Sequence, residues 1–176
     1  MRANVRLDLR APKLVRAVTI VATLSVVNVV SAAPTHCGSD ENVVFSCSAG
    51  KKVASLCASR DLTKNLGYMQ YRFGPIGAPE MTFPSNRDHP SKQFKHANLM
   101  YSGGGGHILW FKSGDFAYTM YSAMLKGGEE PTGVLVQKAG KRVANVKCVS
   151  DVIWNVDGAA LERIGLPEDE GKFELP

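Results

Sequence analysis

From Asn42 to Val149 turn residues cut the chain into short segments in which apolar and polar side chains alternate. A period of two is the mark of a strand with one buried face, and repeated short strands with Gly and Pro punctuation describe an antiparallel sandwich or small barrel. Met69, Tyr71 and Phe73 fall on one side of such a segment and Tyr68, Gln70 and Arg72 on the other. Strands are expected at 42–47, 52–58, 68–73, 79–83, 95–101, 107–112, 115–121, 132–138 and 142–149. The fold class is therefore all-β: a single antiparallel β-barrel or sandwich of about eight to nine strands. One short C-terminal helix completes it, capped by Asn155 or Asp157, running from Gly158 to Ile164 and stopped by Gly165 and Pro167. Residues 85–91 read as a polar loop, and Phe173 and Leu175 are placed to strap the acidic tail onto the body.

The N-terminus obeys different rules. Arg2, Arg6, Arg10, Lys13 and Arg16 lead into a dilute apolar run from Val18 to Val30, followed by Ser31-Ala-Ala-Pro34. Basic, apolar and small-residue zones in that order predict a Sec signal peptide over residues 1–32, cleaved after Ala32, with 33–176 as one secreted β-domain. The run is about 15 residues, short of the roughly 20 that span a bilayer, so no membrane anchor is expected after cleavage. Residues 1–32 also hold five of the 21 basic side chains and one of the 16 acidic ones. The remainder has 16 basic and 15 acidic groups, too even a balance for a nucleic-acid partner. A periplasmic or secreted location follows.

Cys37, Cys47, Cys57 and Cys148 all lie in the exported part, and four cysteines in an oxidising compartment imply two disulfides. A tight turn over Ser48–Lys51 puts Cys47 opposite residue 52 and Cys57 about 17 Å further along. Disulfide Cα atoms lie within about 7 Å, so Cys47–Cys57 is disfavoured. In both remaining pairings Cys148 closes back onto the N-terminal hairpin. No pair of cysteines has zinc-finger spacing, so neither a metal nor another cofactor is expected.

Enzyme signatures are missing: there is no Gly-x-Ser-x-Gly elbow and no His pair at helical spacing. Ser102, His107 and Asp115 are the nearest approach to a triad. Four consecutive glycines, Gly103–Gly106, contribute no side chain to packing and suggest either a flexible hairpin turn at the sheet edge or a protruding loop whose bare backbone can enter another protein's cleft. Arg72 and Glu80 are a candidate cross-strand pair. Tyr68, Tyr118, Tyr121, Trp110 and Trp154 suit core packing or, less commonly, a sugar-binding face.

Three segments, Val43-Val-Phe-Ser-Cys-Ser-Ala-Gly-Lys-Lys-Val53, Tyr101-Ser-Gly-Gly and Leu109-Trp-Phe-Lys-Ser-Gly-Asp-Phe-Ala117, resemble the C-type lysozyme inhibitors of Gram-negative bacteria. That resemblance implies a small exported antiparallel β-domain that blocks a muramidase. It assigns Ser102 and Gly103 to one inhibitory motif and Lys112, Ser113, Gly114, Asp115 and Ala117 to another. The tyrosine of the first motif is replaced by Gly106, or by His107 with one residue inserted, and Lys112-Ser113 reverses the hydroxyl–amine order of the second. The expectation is a non-enzymatic protein that binds lysozyme or another cell-wall hydrolase through Ser102, Gly103, His107, Lys112, Ser113 and Asp115. A small-ligand or glycan-binding periplasmic β-domain is the alternative. Oligomeric state is not legible.

Overall fold

The alternation resolves into ten strands, one more than the sequence suggests: β1 (Glu41–Ala49), β2 (Lys52–Ser59), β3 (Met69–Gly74), β4 (Met81–Phe83), β5 (Phe94–Tyr101), β6 (Gly104–Ser113), β7 (Phe116–Met124), β8 (Thr132–Lys138), β9 (Lys141–Lys147) and β10 (Ser150–Trp154). The computed structural model describes residues 33–169, 171 and 173, so the signal-peptide reading of 1–32 and the strap residue Leu175 lie outside the described residues. Two five-stranded antiparallel sheets form, in the orders β10-β1-β2-β3-β4 and β5-β6-β7-β8-β9. Each is open, so the fold is a sandwich, and the barrel alternative is set aside. Among the described residues no helix is long and apolar enough to cross a membrane.

The inner faces meet through Phe45, Leu56, Met69 and Tyr71 of the first sheet and Phe94, Leu109, Phe111, Met120 and Val134 of the second. Tyr71 bridges the layers with its ring 5.2 Å from that of Phe111, and Phe83 stacks on Phe111 at 4.4 Å. Tyr71 is buried, which pushes its hydroxyl above the usual tyrosine range. The predicted helix is α1 (Gly158–Arg163), where the Asp157 carboxylate accepts a hydrogen bond from Ala159 N–H at 3.0 Å, and Leu161 closes one end of the core.

Of the two pairings that geometry left open the structure selects one, Cys37–Cys57 and Cys47–Cys148, so Cys47–Cys57 does not form and Cys148 closes back onto the N-terminal hairpin. The detailed register differs. The β1–β2 turn is centred on Gly50-Lys51, so Cys47 faces Ala54 rather than residue 52, and Cys57 faces Val43. Cys148 N–H donates to Thr132 in the second sheet and Val149 N–H donates to Ser48 in the first. The chain changes layers between those two residues, and β10, which follows, pairs with β1. Two disulfides are the chemistry of an oxidising compartment.

The far face of the first sheet carries Ser46, Ser55, Gln70 and Arg72, all buried. They are covered by residues 34–37: Ser46 donates to Pro34 O at 2.8 Å, His36 N–H donates to Ser55 Oγ at 3.0 Å, and Cys37 is tied to Cys57. The expected Arg72–Glu80 pair does not form. Arg72 faces this covered layer and pairs with Glu41, while Glu80, in the turn beside the start of β2, pairs with Lys52 at 2.6 Å.

Candidate functional site

The glycine run is not a finger. Gly104, Gly105 and Gly106 are in β6, opposite Tyr101, Met100 and Leu99 on one side and, for Gly105 and Gly106, Met124 and Ala123 on the other. A Cβ on Gly104 would run into Met124 O and one on Gly106 would sit 2.5 Å from Ser122 O. Glycine is required there by close backbone approach, not by mobility. Only Ser102 and Gly103 form the β5–β6 turn, with Gly103 at φ 85°.

This separates the residues that the sequence grouped. Ser102 and Gly103 stand at one end of β6, and Lys112, Ser113 and Asp115 at the other, about 30 Å away for a ten-residue strand. His107 lies between them on β6, its Nδ1 2.7 Å from Asn98 Oδ1. Ser102, His107 and Asp115 therefore do not assemble as a catalytic set, and Ser102 and Lys112 do not share a surface.

The second group does form a site. Ser113 pairs with Phe116, leaving Gly114 and Asp115 as a two-residue turn, and Gly114 takes φ 57° as such tight hairpins demand. Beside it, Lys138 pairs with Lys141 across Ala139-Gly140, both at positive φ (49° and 74°). A cleft of about 360 Å³ opens between the two hairpins, lined by Lys112, Asp115, Phe116, Gln137 and Gly140 among others. Of the nearby cations only Lys112 is in its lining, with the single carboxylate of Asp115. The exposed Lys138, Lys141 and Arg142 belong to the β8–β9 hairpin, Arg142 in the cross-strand row of Lys112 and Gln137, and Lys138 and Lys141 in the next row, with Phe116, on the other face of the sheet. None of the four cations has a carboxylate within 4.0 Å among the described residues. Lys138 Nζ rests 5.1 Å from the Phe116 ring centre and Lys112 Nζ 5.8 Å from that of Trp110, so both amines are braced by aromatic faces. The sequence exposed Lys112 and Asp115 as candidates. Lys138, Lys141 and Arg142 were missed because they belong to another hairpin, brought alongside only by the β7–β8 pairing.

The aromatic residues do not make one platform. Tyr118 stacks on Phe111 in the core at 5.0 Å and Trp154 packs edge-on against Phe45 at 5.5 Å. Tyr121 and Trp110 belong to a separate cluster on the far face of the second sheet, with Ile108, Leu135 and Phe173. Tyr68 sits at the rim and donates to Glu41 at 2.8 Å. Phe173 thus reaches the body as the tail expectation required, with its ring 6.5 Å from Trp110. Comparison with protein-family models, curated proteins and solved structures finds no match.

Proposed function

We propose that the chain is an exported, non-enzymatic binding protein of the periplasm or cell exterior that docks an anionic groove of a protein partner onto its cationic hairpin end. The observation that carries the reading is the cleft between the β6–β7 and β8–β9 turns, with Lys112 in its lining, Lys138, Lys141 and Arg142 exposed on the adjoining hairpin, and Asp115 the one carboxylate in that lining. A glycosidase groove presents the complementary chemistry, because it holds a pair of carboxylates at the scissile bond. A lysozyme-type muramidase is accordingly the first target, engaged by the Lys112 amine and the Ser113 hydroxyl. Ser102, Gly103 and His107 stand outside this surface and are not needed for it.

The test is whether residues 33–176 protect a cell-wall substrate from lysozyme at near-stoichiometric ratios. Lys112→Ala combined with Lys141→Ala should weaken protection by tenfold or more, and added salt should weaken it in the wild type. Absence of protection against several lysozyme types discards that target. Protection unchanged in the double variant discards the surface.

A further inference from the structure

At the opposite end of the second sheet, β5, β6 and β7 run on past the covered core. The side chains on that face form successive cross-strand rows. His96, Leu109 and Met120 are buried; Asn98, His107 and Ser122 come next; Met100, Gly105 and Met124 form the outermost row. Met100 is 92% exposed and Met124 56%, on either side of a glycine that fills none of the space between them. At sheet spacing the two methionines flank Gly105 at about 5 Å, and His107 lies about 7 Å along the same strand. A cavity of about 400 Å³ lies on the Met124 side of this row, lined by Gly105, His107, Ser122, Met124 and Glu130 among others, and Met100 stands outside that lining across Gly105.

We propose that Met100, Met124 and His107 form a binding site for a soft monovalent metal ion of the copper(I) class. Methionine is ordinarily a core residue, and nothing packs on Met100 that would account for it. Two flexible thioethers and an imidazole are a soft donor set, which selects copper(I) over calcium, magnesium or zinc. The imidazole is already aimed. Asn98 Nδ2 donates to Glu168 Oε1 at 3.1 Å, which turns the Asn98 carbonyl oxygen towards His107. His107 Nδ1–H therefore donates to that oxygen, and the lone pair is left on Nε2. Metal-ligating histidines are held in this way by a partner on the other ring nitrogen. Harder ions find no equal offer: among the described residues the only set of three converging His, Cys, Asp or Glu donors is Cys37, Glu41 and Cys57, whose sulfurs are bonded to each other.

The mature protein, residues 33–176, is titrated with copper(I) against a chromophoric chelator, and with silver(I) as a redox-inert substitute while methionine methyl and histidine ring resonances are followed. One ion per chain is expected, shifting the Met100 and Met124 methyls and the His107 ring. Met100→Leu and Met124→Leu conserve volume, so near-ultraviolet circular dichroism should be unchanged while affinity falls tenfold or more in each. Glu130→Gln should leave affinity unchanged, and zinc(II) should not move the methionine methyls. The proposal is overturned by lack of binding, by binding that survives both methionine substitutions, or by binding that depends on Glu130 and not on the thioethers.

Discussion

Arg72 grips both carboxylate oxygens of Glu41, at 2.6 and 2.7 Å, beneath the layer that residues 34–37 lay over the first sheet. The remaining guanidinium hydrogens go to Gln70 Oε1 at 2.7 and 3.1 Å and to His36 O at 2.9 Å, so none is left over. Burial alone pushes the Glu41 carboxyl up, but the hydrogen bond from Arg72, those from Gly38 N–H and Tyr68 O–H, and the Arg72 charge outweigh it and hold it at about 2, against an ordinary value of 4.5. The unfolded chain takes up that proton more readily than the folded one. This part of the stability is therefore complete above about pH 5 and lost as the pH falls towards 2. Arg72→Met should cost roughly 3 kcal/mol at pH 7, since it strands a buried carboxylate. Glu41→Gln should flatten the acid limb of the stability profile. Urea titrations between pH 2 and 7 read both effects.

The glycines of β6 give a prediction whose sign distinguishes strand from mobile loop. In a mobile loop, alanine would restrict the unfolded chain and raise stability by about 0.4–1 kcal/mol. Here the Cβ of Gly106→Ala would meet Ser122 O at 2.5 Å, so the substitution should lower stability by roughly 1–3 kcal/mol. Chemical denaturation of the single variant decides between them.

The two disulfides should differ in weight. Cys47–Cys148 joins residues 101 apart and Cys37–Cys57 only 20 apart. On the chain-entropy account, replacing the first pair by alanine costs about 4.7 kcal/mol and the second about 3. Thermal melts of the two double-alanine variants should show the larger fall for the Cys47/Cys148 pair.

Ala139 holds φ 49° at the first position of a two-residue turn whose second residue, Gly140, is also at positive φ. Turns of this form favour Asn-Gly, and an alanine there carries avoidable strain. Ala139→Asn should stabilise the protein by roughly 0.5 kcal/mol, read from the denaturation midpoint. Ala139 is in the lining of the cleft, and the substitution adds no charge there.

What the sequence conveyed was governed by where side chains could speak for themselves. Met69, Tyr71 and Phe73 announced an inward face because each is apolar and alternates with polar neighbours. Gly104–Gly106 were misread because a strand without side chains has no periodicity. Their place is fixed by β5 and β7, which no local pattern reveals. The strand β10 was missed because Ser150 follows β9 closely, and the change of sheet at Cys148–Val149 leaves no signal beyond the cysteine itself. Gln70 and Arg72 look like a solvent face in isolation; the covering segment 34–37 is what buries them. For the cleft, Lys112 and Asp115 were legible from one hairpin, whereas Lys141 and Arg142 enter through contacts between hairpins distant in sequence.

The bond between Cys47 and Cys148 encloses the turns at Gly50, Gly103, Gly114 and Gly140 in one covalent ring. A protease that nicks any of those tips leaves both fragments fastened together, and the clip shows on a gel only after reduction. In a protease-rich setting, such a molecule can be wounded at its edges without losing its pieces.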